Sequence, residues 1–395
     1  MPARTLIVGA SLAGLRTAEA LREAGYAERL TIVGAEPHAP YDRPPLSKQL
    51  LAGACEHDDC TLAHAVEADW LLGRRAVGLD LERRVVALDD GERVDFDALV
   101  IATGSRARRW PAADAALEGV FTLRTVEDAT RLRAAAAAAT RAAIVGAGFI
   151  GCEVAATLRA QGLEVDLVDA ASQPMTALGP QLGGVCAQLH REHGVRLHLG
   201  ADVVAFEGDG RFASVRLGDG TRLEADLAVI AIGDVPATRW LRGSAVPLDP
   251  SVVCEATCAV RGVPNVFAVG DVASWPHPLL DGRRVCVRHW SNAAEAAAIA
   301  AANLLAHPAE RRVHDAVPSF WSDQYDVTIR SVGFPSLATG AEVVEGSLEN
   351  RRFVVAYRMG ERPIGAVAFG MARRMPFYRR LIAERGSLTE HAVIR

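Results

Sequence analysis

The chain has 395 residues, of which half are apolar, and a formal net charge of −5. This length exceeds a single ordinary core and predicts two or three globular domains. The weak negative charge disfavours nucleic acid as a partner, and no apolar run approaches the roughly 20 residues of a membrane span. Residues 1–4 lead directly into a predicted strand, so we expect no signal peptide. Seven loosely spaced cysteines favour reduced thiols and a cytoplasmic protein.

The first predicted feature is a strand, a tight turn and a helix in the segment IVGASLAGLRTAEALR, residues 7–22. It nearly matches the dinucleotide fingerprint G-x-G-x-x-G, with Gly9 and Gly14 in place and Ser11 in the middle. We expect the Ser11 hydroxyl to face a pyrophosphate, at a cost in backbone freedom because serine disfavours positive φ. Glu36 ends the next predicted strand roughly 20 residues later, where a carboxylate binds ribose hydroxyls.

Lysine is almost absent from this chain. Lysine and arginine together number 43, and Lys48 is the one lysine among them. Where a lysine persists against such a bias, a compact and flexible point charge is predicted to be required. A surface lysine is the alternative.

A second fingerprint, Gly146, Gly148 and Gly151, opens another strand–turn–helix segment, and Asp169 ends the strand that follows. Two further segments also match, DDGERVDFDALVIATG before residue 105 and GDGTRLEADLAVIAIG before residue 234, and each predicts a hairpin with an Asp-Gly turn. The repeat therefore predicts two dinucleotide-binding halves. Asp169 favours a free ribose 2′-hydroxyl, and the segment AASQPMTALG after it contains no arginine, so NADH is preferred over NADPH.

Other candidate groups carry weaker signals. Cys55 and Cys60 have the spacing of a redox pair, but their acidic neighbours would raise the pKa of a thiol. His190 and His193 are predicted to lie on an exposed polar face rather than to bind metal, since other clustered ligands are missing. We therefore predict no metal site.

Four longer segments carry a family resemblance: PYDRPPLSKQLL, VPNVFAVGDVASWP, RHWSNAAEAA and PSFWSDQYDVTIRSVG. With both fingerprints they resemble the oxygenase-coupled NADH–ferredoxin reductases, FAD enzymes that pass electrons to small iron–sulfur ferredoxins, [2Fe-2S] or similar, serving monooxygenases or dioxygenases. The resemblance implies an α/β fold with two Rossmann-like, glutathione-reductase-like domains and a C-terminal α+β domain. The implied boundaries are an FAD domain at 1–108 and 234–310, an NAD domain at 109–233, and a C-terminal domain at 311–395 that covers the flavin.

The resemblance also implies residue roles. Arg43 and Lys48 would lie against the flavin, with Lys48 near the ring nitrogen that accepts hydride. Trp290 and Trp321 would pack near the ring, and Asp271 would bind the ribityl chain of FAD. The residues assigned to catalysis are Lys48, Trp321 and Arg288. The residues assigned to FAD and NADH binding are Gly9, Ser11, Leu12, Ala13, Gly14, Glu36, Arg43, Lys48, Ala102, Thr103, Gly104, Gly146, Gly148, Phe149, Ile150, Gly151, Asp169, Gly233, Gly270, Asp271, Trp290 and Trp321.

Two positions depart from the family pattern. Arg288 and Ala296 stand where the family has a glutamate and a glutamine, at positions expected to face the nicotinamide. Two other functions stay open at this stage: a flavin-dithiol disulfide reductase using Cys55 and Cys60, and a non-catalytic flavoprotein that binds NADH. Arginine pairs near the C-terminus, such as Arg373-Arg374, could form a docking face for an acidic ferredoxin or an ordinary solvated face.

Overall fold

The computed structural model describes residues 1–110 and 117–388. The chain divides into two compact units. Unit 1 comprises Met1–Asp42, Thr61–Arg106 and Pro236–Phe320. Unit 2 comprises the described residues of Arg43–Cys60, Ala107–Val235 and Trp321–Arg395. The domain boundaries expected from the sequence stay a prediction.

The described residues form six α-helices and 27 strands. The helices are α1 Leu12–Glu23, α2 Val126–Ala137, α3 Phe149–Ala160, α4 Gly179–Glu192, α5 Trp290–Leu305 and α6 Met375–Ala383. The strands up to residue 145 are β1 Arg4–Val8, β2 Arg29–Gly34, β3 Asp69–Leu72, β4 Ala76–Asp80, β5 Val85–Leu88, β6 Arg93–Asp95, β7 Ala98–Ile101, β8 Ser105–Ala107, β9 Val120–Thr122 and β10 Arg141–Val145. The later strands are β11 Glu164–Asp169, β12 Arg196–Leu199, β13 Val203–Asp209, β14 Arg211–Leu217, β15 Arg222–Glu224, β16 Leu227–Ile230, β17 Asp234–Pro236, β18 Leu248–Asp249, β19 Ser251–Val253, β20 Val266–Ala268, β21 Ala273–Pro276, β22 Arg284–Val285, β23 Ser319–Gln324, β24 Val327–Gly333, β25 Gly340–Ser347, β26 Arg352–Met359 and β27 Arg362–Phe369.

The central sheet of unit 1 has the strand order β20-β7-β1-β2-β3, and its strands are parallel. The inner strands are continuous apolar runs because both faces of a parallel sheet are covered. Ile7 is fully buried and pairs in register with Ile32 and Val100. Parallel pairing brings the carboxyl ends of β1, β2, β7 and β20 to one edge, which is where ligands bind in open α/β sheets.

The main sheet of unit 2 repeats this arrangement with the order β12-β11-β10-β16-β9, again parallel. In both units a central strand runs into a glycine loop and a helix, and its two neighbours are the strands predicted from the repeat. The two predicted Asp-Gly hairpins are also present, as β5–β6 and β14–β15, with Gly91 and Gly220 both at φ +89°. The predicted fold class is confirmed.

The last part of unit 2 is a five-stranded sheet of order β23-β24-β27-β26-β25, with α6 packed on β24 and β27. Phe353 and Phe369 stack in its core with ring centroids 5.3 Å apart. A turn after Met359 joins β26 to β27, and α6 follows β27 in the chain. No helix in the described part of the chain is long and apolar enough to cross a membrane.

Candidate nucleotide-binding sites

The first glycine loop needs glycine at its first and third positions. Gly9 has φ +123°, and a Cβ there would lie 2.1 Å from the carbonyl oxygen of Ala102. A Cβ on Gly14 would lie 1.8 Å from the carbonyl oxygen of Gly9. These contacts let α1 begin close to the end of β1, so that its N-terminal amides can bind an anion at this edge of the sheet.

The middle position of the loop has no such requirement, which corrects the expectation of a backbone cost at Ser11. Ser11 is the N-cap of α1 with φ −112° and ψ −163°, and Gly148 has an equally extended backbone with φ −76°. Within the described residues, no atom lies within 4 Å of a Cβ built on Gly148, and the Ser11 hydroxyl makes no capping bond. The middle residue therefore faces open space, and its side chain is available to a phosphate.

The first turn of α1 and two more strand ends of unit 1, those of β2 and β20, carry predicted FAD contacts. Leu12 and Ala13 lie buried in the first turn of α1, and Glu36 follows β2, where its carboxylate accepts a hydrogen bond from Tyr41. Gly270 follows β20 at φ +72°, and a Cβ on it would lie 3.1 Å from the Cβ of Ala13. The segment VPNVFAVGDVASWP therefore lies against the first fingerprint, as its assignment to the same nucleotide requires.

The neighbouring strand ends complete this edge. Ala102, Thr103 and Gly104 follow β7, with Gly104 at φ +65°. The Ser105 hydroxyl donates to the Asp271 carboxylate at 3.0 Å, which fixes Asp271 beside this loop. Unit 1 thus brings together the loop amides, Glu36 and Asp271, a set that suits a pyrophosphate, a ribose and a polyol chain.

Helix α5 adds an aromatic and a histidine to unit 1. Trp290 begins the helix, and its indole Nε1 donates to Asp42 Oδ1 at 2.8 Å. His289, the N-cap, is half-buried, and desolvation of its ring lowers its pKa to about 4. Its Nδ1 has no hydrogen-bond partner among the described residues. An orphaned buried polar atom beside these loops is the feature a bound polar cofactor would satisfy, so the residues present fit FAD.

We call the glycine loop at residues 9–14, with Glu36, the first nucleotide cradle. Unit 2 contains a second cradle of the same construction, the glycine loop at residues 146–151 with Asp169. Gly146 has φ +105° with a Cβ position 2.4 Å from the Ala231 oxygen, and a Cβ on Gly151 would lie 1.8 Å from the Gly146 oxygen. The Asp169 carboxylate accepts from the amides of Ala147 at 2.6 Å and Ala171 at 2.8 Å. Those bonds hold the acid beside the glycine loop, where it would meet a nucleotide ribose.

The remaining predicted contacts of unit 2 lie at the same edge. Phe149 and Ile150 open α3, and Ile150 is 44% exposed, one of the most exposed large apolar side chains in the described structure. Gly233 follows β16 at φ +91°. An exposed isoleucine at the N-terminus of α3, next to the glycine loop, is consistent with a nucleotide packing over it. The cradle fits a pyridine nucleotide.

Lys48 has a partner that sequence reasoning missed. Its Nζ lies 2.8 Å from Glu153 Oε2, and the two side chains are only 13% and 4% exposed. Glu153 sits in α3, the helix of the second fingerprint, and also accepts from the Ser47 hydroxyl at 2.5 Å and the Ser322 hydroxyl at 2.8 Å. A lone carboxylate inside the apolar run FIGCEVAA was the available signal. A buried ion pair stabilised by further hydrogen bonds marks a site where charge is required.

The segment around Lys48 is anchored to unit 2, although it interrupts unit 1 in the chain. The Thr157 hydroxyl of α3 donates to the Ser47 carbonyl at 2.8 Å, and Gln161 Nε2 donates to the Leu51 carbonyl at 3.1 Å. Arg43 Nη1 donates to the Arg124 carbonyl at 2.6 Å. Lys48 is thus positioned by the helix of the second cradle.

The other predicted catalytic positions differ in setting. Trp321 is half-buried on β23, next to Ser322, and Arg288 is exposed. Ala296 is 2% exposed in an apolar core cluster of unit 1. The expectation that positions 288 and 296 face the nicotinamide stays a prediction.

The cysteine and histidine motifs are both clarified by the structure. The sulfurs of Cys55 and Cys60 lie 3.8 Å apart, in a segment where Glu56 pairs with Arg133 at 2.8 Å. The expectation that His190 is exposed is wrong: it is fully buried on α4, whereas His193 is exposed. Across residues 1–110 and 117–388, no group of three or more His, Cys, Asp and Glu residues is placed to hold a metal ion.

Two fingerprints at equivalent edges of two parallel sheets define an oxidoreductase that binds two dinucleotides. The family described as pyridine nucleotide-disulphide oxidoreductase matches residues 3–297, and the one described as reductase C-terminal matches residues 319–394.

Characterised relatives narrow this class. The chain is 40% identical, over 82% of its length and 78% of that protein, to the ferredoxin reductase component of chlorobenzene dioxygenase from Cupriavidus sp. (strain PS12). It is 34% identical, over 97% of its length and 94% of that protein, to the ferredoxin–NAD(+) reductase component of the biphenyl dioxygenase system of Paraburkholderia xenovorans (strain LB400). The covalent putidaredoxin reductase–putidaredoxin complex superposes with a TM-score of 0.91 at 32% identity, covering 97% of this chain and 93% of that one. The chain belongs to the pyridine nucleotide-disulphide oxidoreductases and, within them, to the oxygenase-coupled ferredoxin reductase family. Membership implies binding of FAD and NAD(H).

Proposed function

We propose that this chain is an FAD-dependent NADH:ferredoxin oxidoreductase, a ferredoxin–NAD(+) reductase that supplies a monooxygenase or dioxygenase through an iron–sulfur ferredoxin. The observation that carries the proposal is the presence of two nucleotide cradles in one chain, together with a buried Lys48–Glu153 ion pair. The names of relatives that match most of the chain support the same activity.

The two nucleotides are assigned by the residues that accompany each glycine loop. The loop of unit 1 lies beside Gly270 and Asp271, which suits the longer FAD with its ribityl chain. The loop of unit 2 has Asp169 beside it, whose carboxylate favours a free 2′-hydroxyl and repels a 2′-phosphate. We therefore propose FAD in unit 1 and NADH in unit 2.

The chemistry divides between cofactor and protein. When bound, FAD accepts a hydride from NADH and returns the electrons singly to an iron–sulfur partner. The protein needs no acid–base triad for this. Its contribution is to bind and orient both nucleotides and to hold a positive charge at Lys48 Nζ, which would stabilise negative charge on a neighbouring group. Glu153 keeps that ammonium in place at 2.8 Å.

Ferredoxin would dock through charge complementarity, since ferredoxins are generally acidic. Of the predicted arginine pair on the way into α6, Arg374 is already bound by Glu345 at 2.6 and 2.8 Å, with Tyr378 on the same carboxylate. Arg373 is exposed beside it. We therefore propose Arg373, rather than Arg374, as the docking charge of this pair.

A cytoplasmic location is part of the proposal. All seven cysteines are free thiols, and four of them are buried with pKa values raised by burial, which makes them inert. Free thiols of this kind persist in a reducing compartment.

Anaerobic stopped-flow spectroscopy tests the function. The FAD-loaded protein is mixed with NADH, and then with a panel of ferredoxins, while flavin and iron–sulfur absorbance are followed together. We expect flavin bleaching by NADH, slower bleaching by NADPH, and recovery of flavin absorbance as a ferredoxin is reduced. Flavin that stays yellow in excess NADH would favour the non-catalytic flavoprotein instead.

The dithiol alternative needs its own arm, because the sulfurs of Cys55 and Cys60 lie 3.8 Å apart. Cys55→Ser is compared with Cys258→Ser, which removes a fully buried thiol elsewhere. We expect ferredoxin reduction to be unchanged in Cys55→Ser. If the reduced enzyme transfers electrons to DTNB faster than to any ferredoxin, and Cys55→Ser abolishes that transfer, the protein is a disulfide reductase.

A further inference from the structure

A continuous line of hydrogen bonds leads from the Lys48–Glu153 pair through unit 2. The Ser322 hydroxyl donates to Glu153 Oε1 at 2.8 Å, and Gln324 Nε2 donates to the Ser322 oxygen at 3.2 Å. Beyond it, Gln324 Oε1 lies 3.1 Å from His190 Nε2. His190 Nδ1 lies 3.0 Å from the Tyr325 hydroxyl. Ser322, Gln324 and His190 are each fully buried.

The chemistry of these groups determines which partner is the donor in each hydrogen bond of this line. A carboxylate accepts only, so both serines and Lys48 donate to Glu153. Gln324 uses its amide N–H toward Ser322, which leaves its oxygen to accept from His190 Nε2. The Nδ1 of His190 is then the acceptor for the Tyr325 hydroxyl. Burial lowers the pKa of His190 to about 4, so the ring is neutral and carries the single N–H that this arrangement needs.

Tyr325, at the far end of this line of hydrogen bonds, has an unfavourable backbone conformation. Tyr325 lies at the turn between β23 and β24 with φ +55°, which a non-glycine residue rarely adopts. Its ring stacks on exposed His193 with centroids 3.6 Å apart, in addition to the bond with His190. A buried chain of polar groups with a strained residue at its end contributes less to folding stability than apolar packing would. Hydrogen bonds that all have the same direction also polarise one another.

We propose that Ser322, Gln324, His190 and Tyr325 are positioning residues that fix the Glu153 carboxylate, and through it the Lys48 ammonium. The line ends on the carboxylate, so each donor adds partial positive charge toward it. The carboxylate then stays oriented and retains the lysine. Gln324 cannot pass a proton along without changing its amide tautomer, so the line is an orienting device rather than a proton path. The inference rests on the proposed function only for what Lys48 does once it is held.

The single lysine makes the test direct. Protein labelled with ¹⁵N-lysine and loaded with FAD gives one side-chain ammonium signal, that of Lys48, because the chain contains no other lysine. The measured quantity is the rate at which the Nζ protons exchange with water, with no NADH or ferredoxin present. We expect Gln324→Leu to raise this rate about three- to ten-fold, the effect of losing one buried hydrogen bond. Tyr325→Phe, which removes only the last donor, should raise it less, about two-fold.

Tyr378→Phe is the control, because Tyr378 is another tyrosine of unit 2 whose hydroxyl donates a hydrogen bond, to Glu345 at 2.7 Å, outside the line. It should leave the exchange rate unchanged. A folded, FAD-loaded Gln324→Leu protein with the wild-type exchange rate would overturn the proposal. If that variant does not fold, Tyr325→Phe decides by the same criterion. Failure of ferredoxin reduction in the wild type would refute the proposed function and leave this result standing.

Discussion

The two nucleotide cradles of this protein are built alike but are not equally strict in sequence. In both, the first glycine is at positive φ and the third packs a helix against the loop, with Cβ positions that overlap backbone atoms. The middle residue differs, serine in unit 1 and glycine in unit 2, and both have extended backbone. The comparison shows that steric contacts within the fold require glycine at the first and third positions of the motif. The identity of the middle residue depends only on the ligand.

The acids at the two second strands also differ in setting. Glu36 accepts from the Tyr41 hydroxyl, whereas Asp169 accepts from two backbone amides at 2.6 and 2.8 Å. Asp169 is therefore hydrogen-bonded to the backbone of its own glycine loop, whereas Glu36 is hydrogen-bonded to the side chain of Tyr41. Unit 2 also contains the Lys48 segment, which is hydrogen-bonded to α3.

Replacing the first glycine of each cradle by alanine should impair one nucleotide site at a time. These are the largest effects that we expect. Gly9→Ala is expected to yield protein without flavin. Gly146→Ala should retain flavin but lose reduction by NADH at least about 100-fold, because each change combines unfavourable φ with a backbone overlap. Flavin absorbance after purification and the anaerobic rate with NADH are the measurements.

Gly25→Ala is a control for positive φ alone, because no atom of the described structure lies within 4 Å of its Cβ position. Gly25→Ala should lower the free energy of unfolding but leave the binding of both nucleotides unchanged. Loss of flavin from Gly146→Ala, together with retained flavin but lost NADH reduction in Gly9→Ala, would reverse the assignment of the two cradles.

Removal of the Asp169 carboxylate should affect NADH more than flavin. We expect Asp169→Ala to lower kcat/KM for NADH about 10- to 100-fold, since it loses charged hydrogen bonds to the ribose and to the loop amides. The preference for NADH over NADPH should shrink at the same time. Steady-state kinetics with both nucleotides measure this, and an unchanged preference would show that Asp169 does not meet the ribose.

Low pH should reduce the free energy of unfolding, because both units contain histidines that are neutral in the folded protein. His190, His289 and His314 have pKa values lowered by burial to about 4. The unfolded chain binds protons near pH 6.5 that the folded chain does not, so stability is full above that pH and falls as pH drops toward 4. Between pH 7 and 5, His190 alone should account for about 2 kcal/mol of unfolding free energy. Urea unfolding of wild type and His190→Gln at both pH values should show that difference, and equal losses in the two proteins would contradict it.

The smallest effect is expected from exchanging the middle residues. Ser11→Gly and Gly148→Ser both place the new residue in extended backbone, and the Gly148 side has open space. We expect changes below about three-fold in flavin retention and in KM for NADH, the range of one weak hydrogen bond. A large loss in Ser11→Gly would show that the serine hydroxyl is a required phosphate ligand.

Much of this architecture could be predicted because its determinants are local. Strand β1 and the hairpins followed from short apolar runs and Asp-Gly turns, and the glycine spacing marked both cradles. Glu153 could not be found in this way, because the groups that explain it, Lys48 and Ser322, lie more than a hundred residues away in either direction.

Other features depended on tertiary packing. The burial of His190 follows from contacts with β23, which no periodicity in α4 could reveal. The placement of residues 43–60 with unit 2 follows from hydrogen bonds to α3. Ala296 was assigned by resemblance to a position that, in this chain, packs in the core. Local patterns therefore indicated the cradles, and packing determined what surrounds them.

Hydrogen–deuterium exchange of the FAD-loaded protein, with and without NAD(+), tests the central claim that each unit binds its own nucleotide. The account predicts added protection of the backbone amides at residues 146–151 and near Asp169, with no change at residues 9–14. Protection at residues 9–14 on adding NAD(+), with residues 146–151 unaffected, would contradict it.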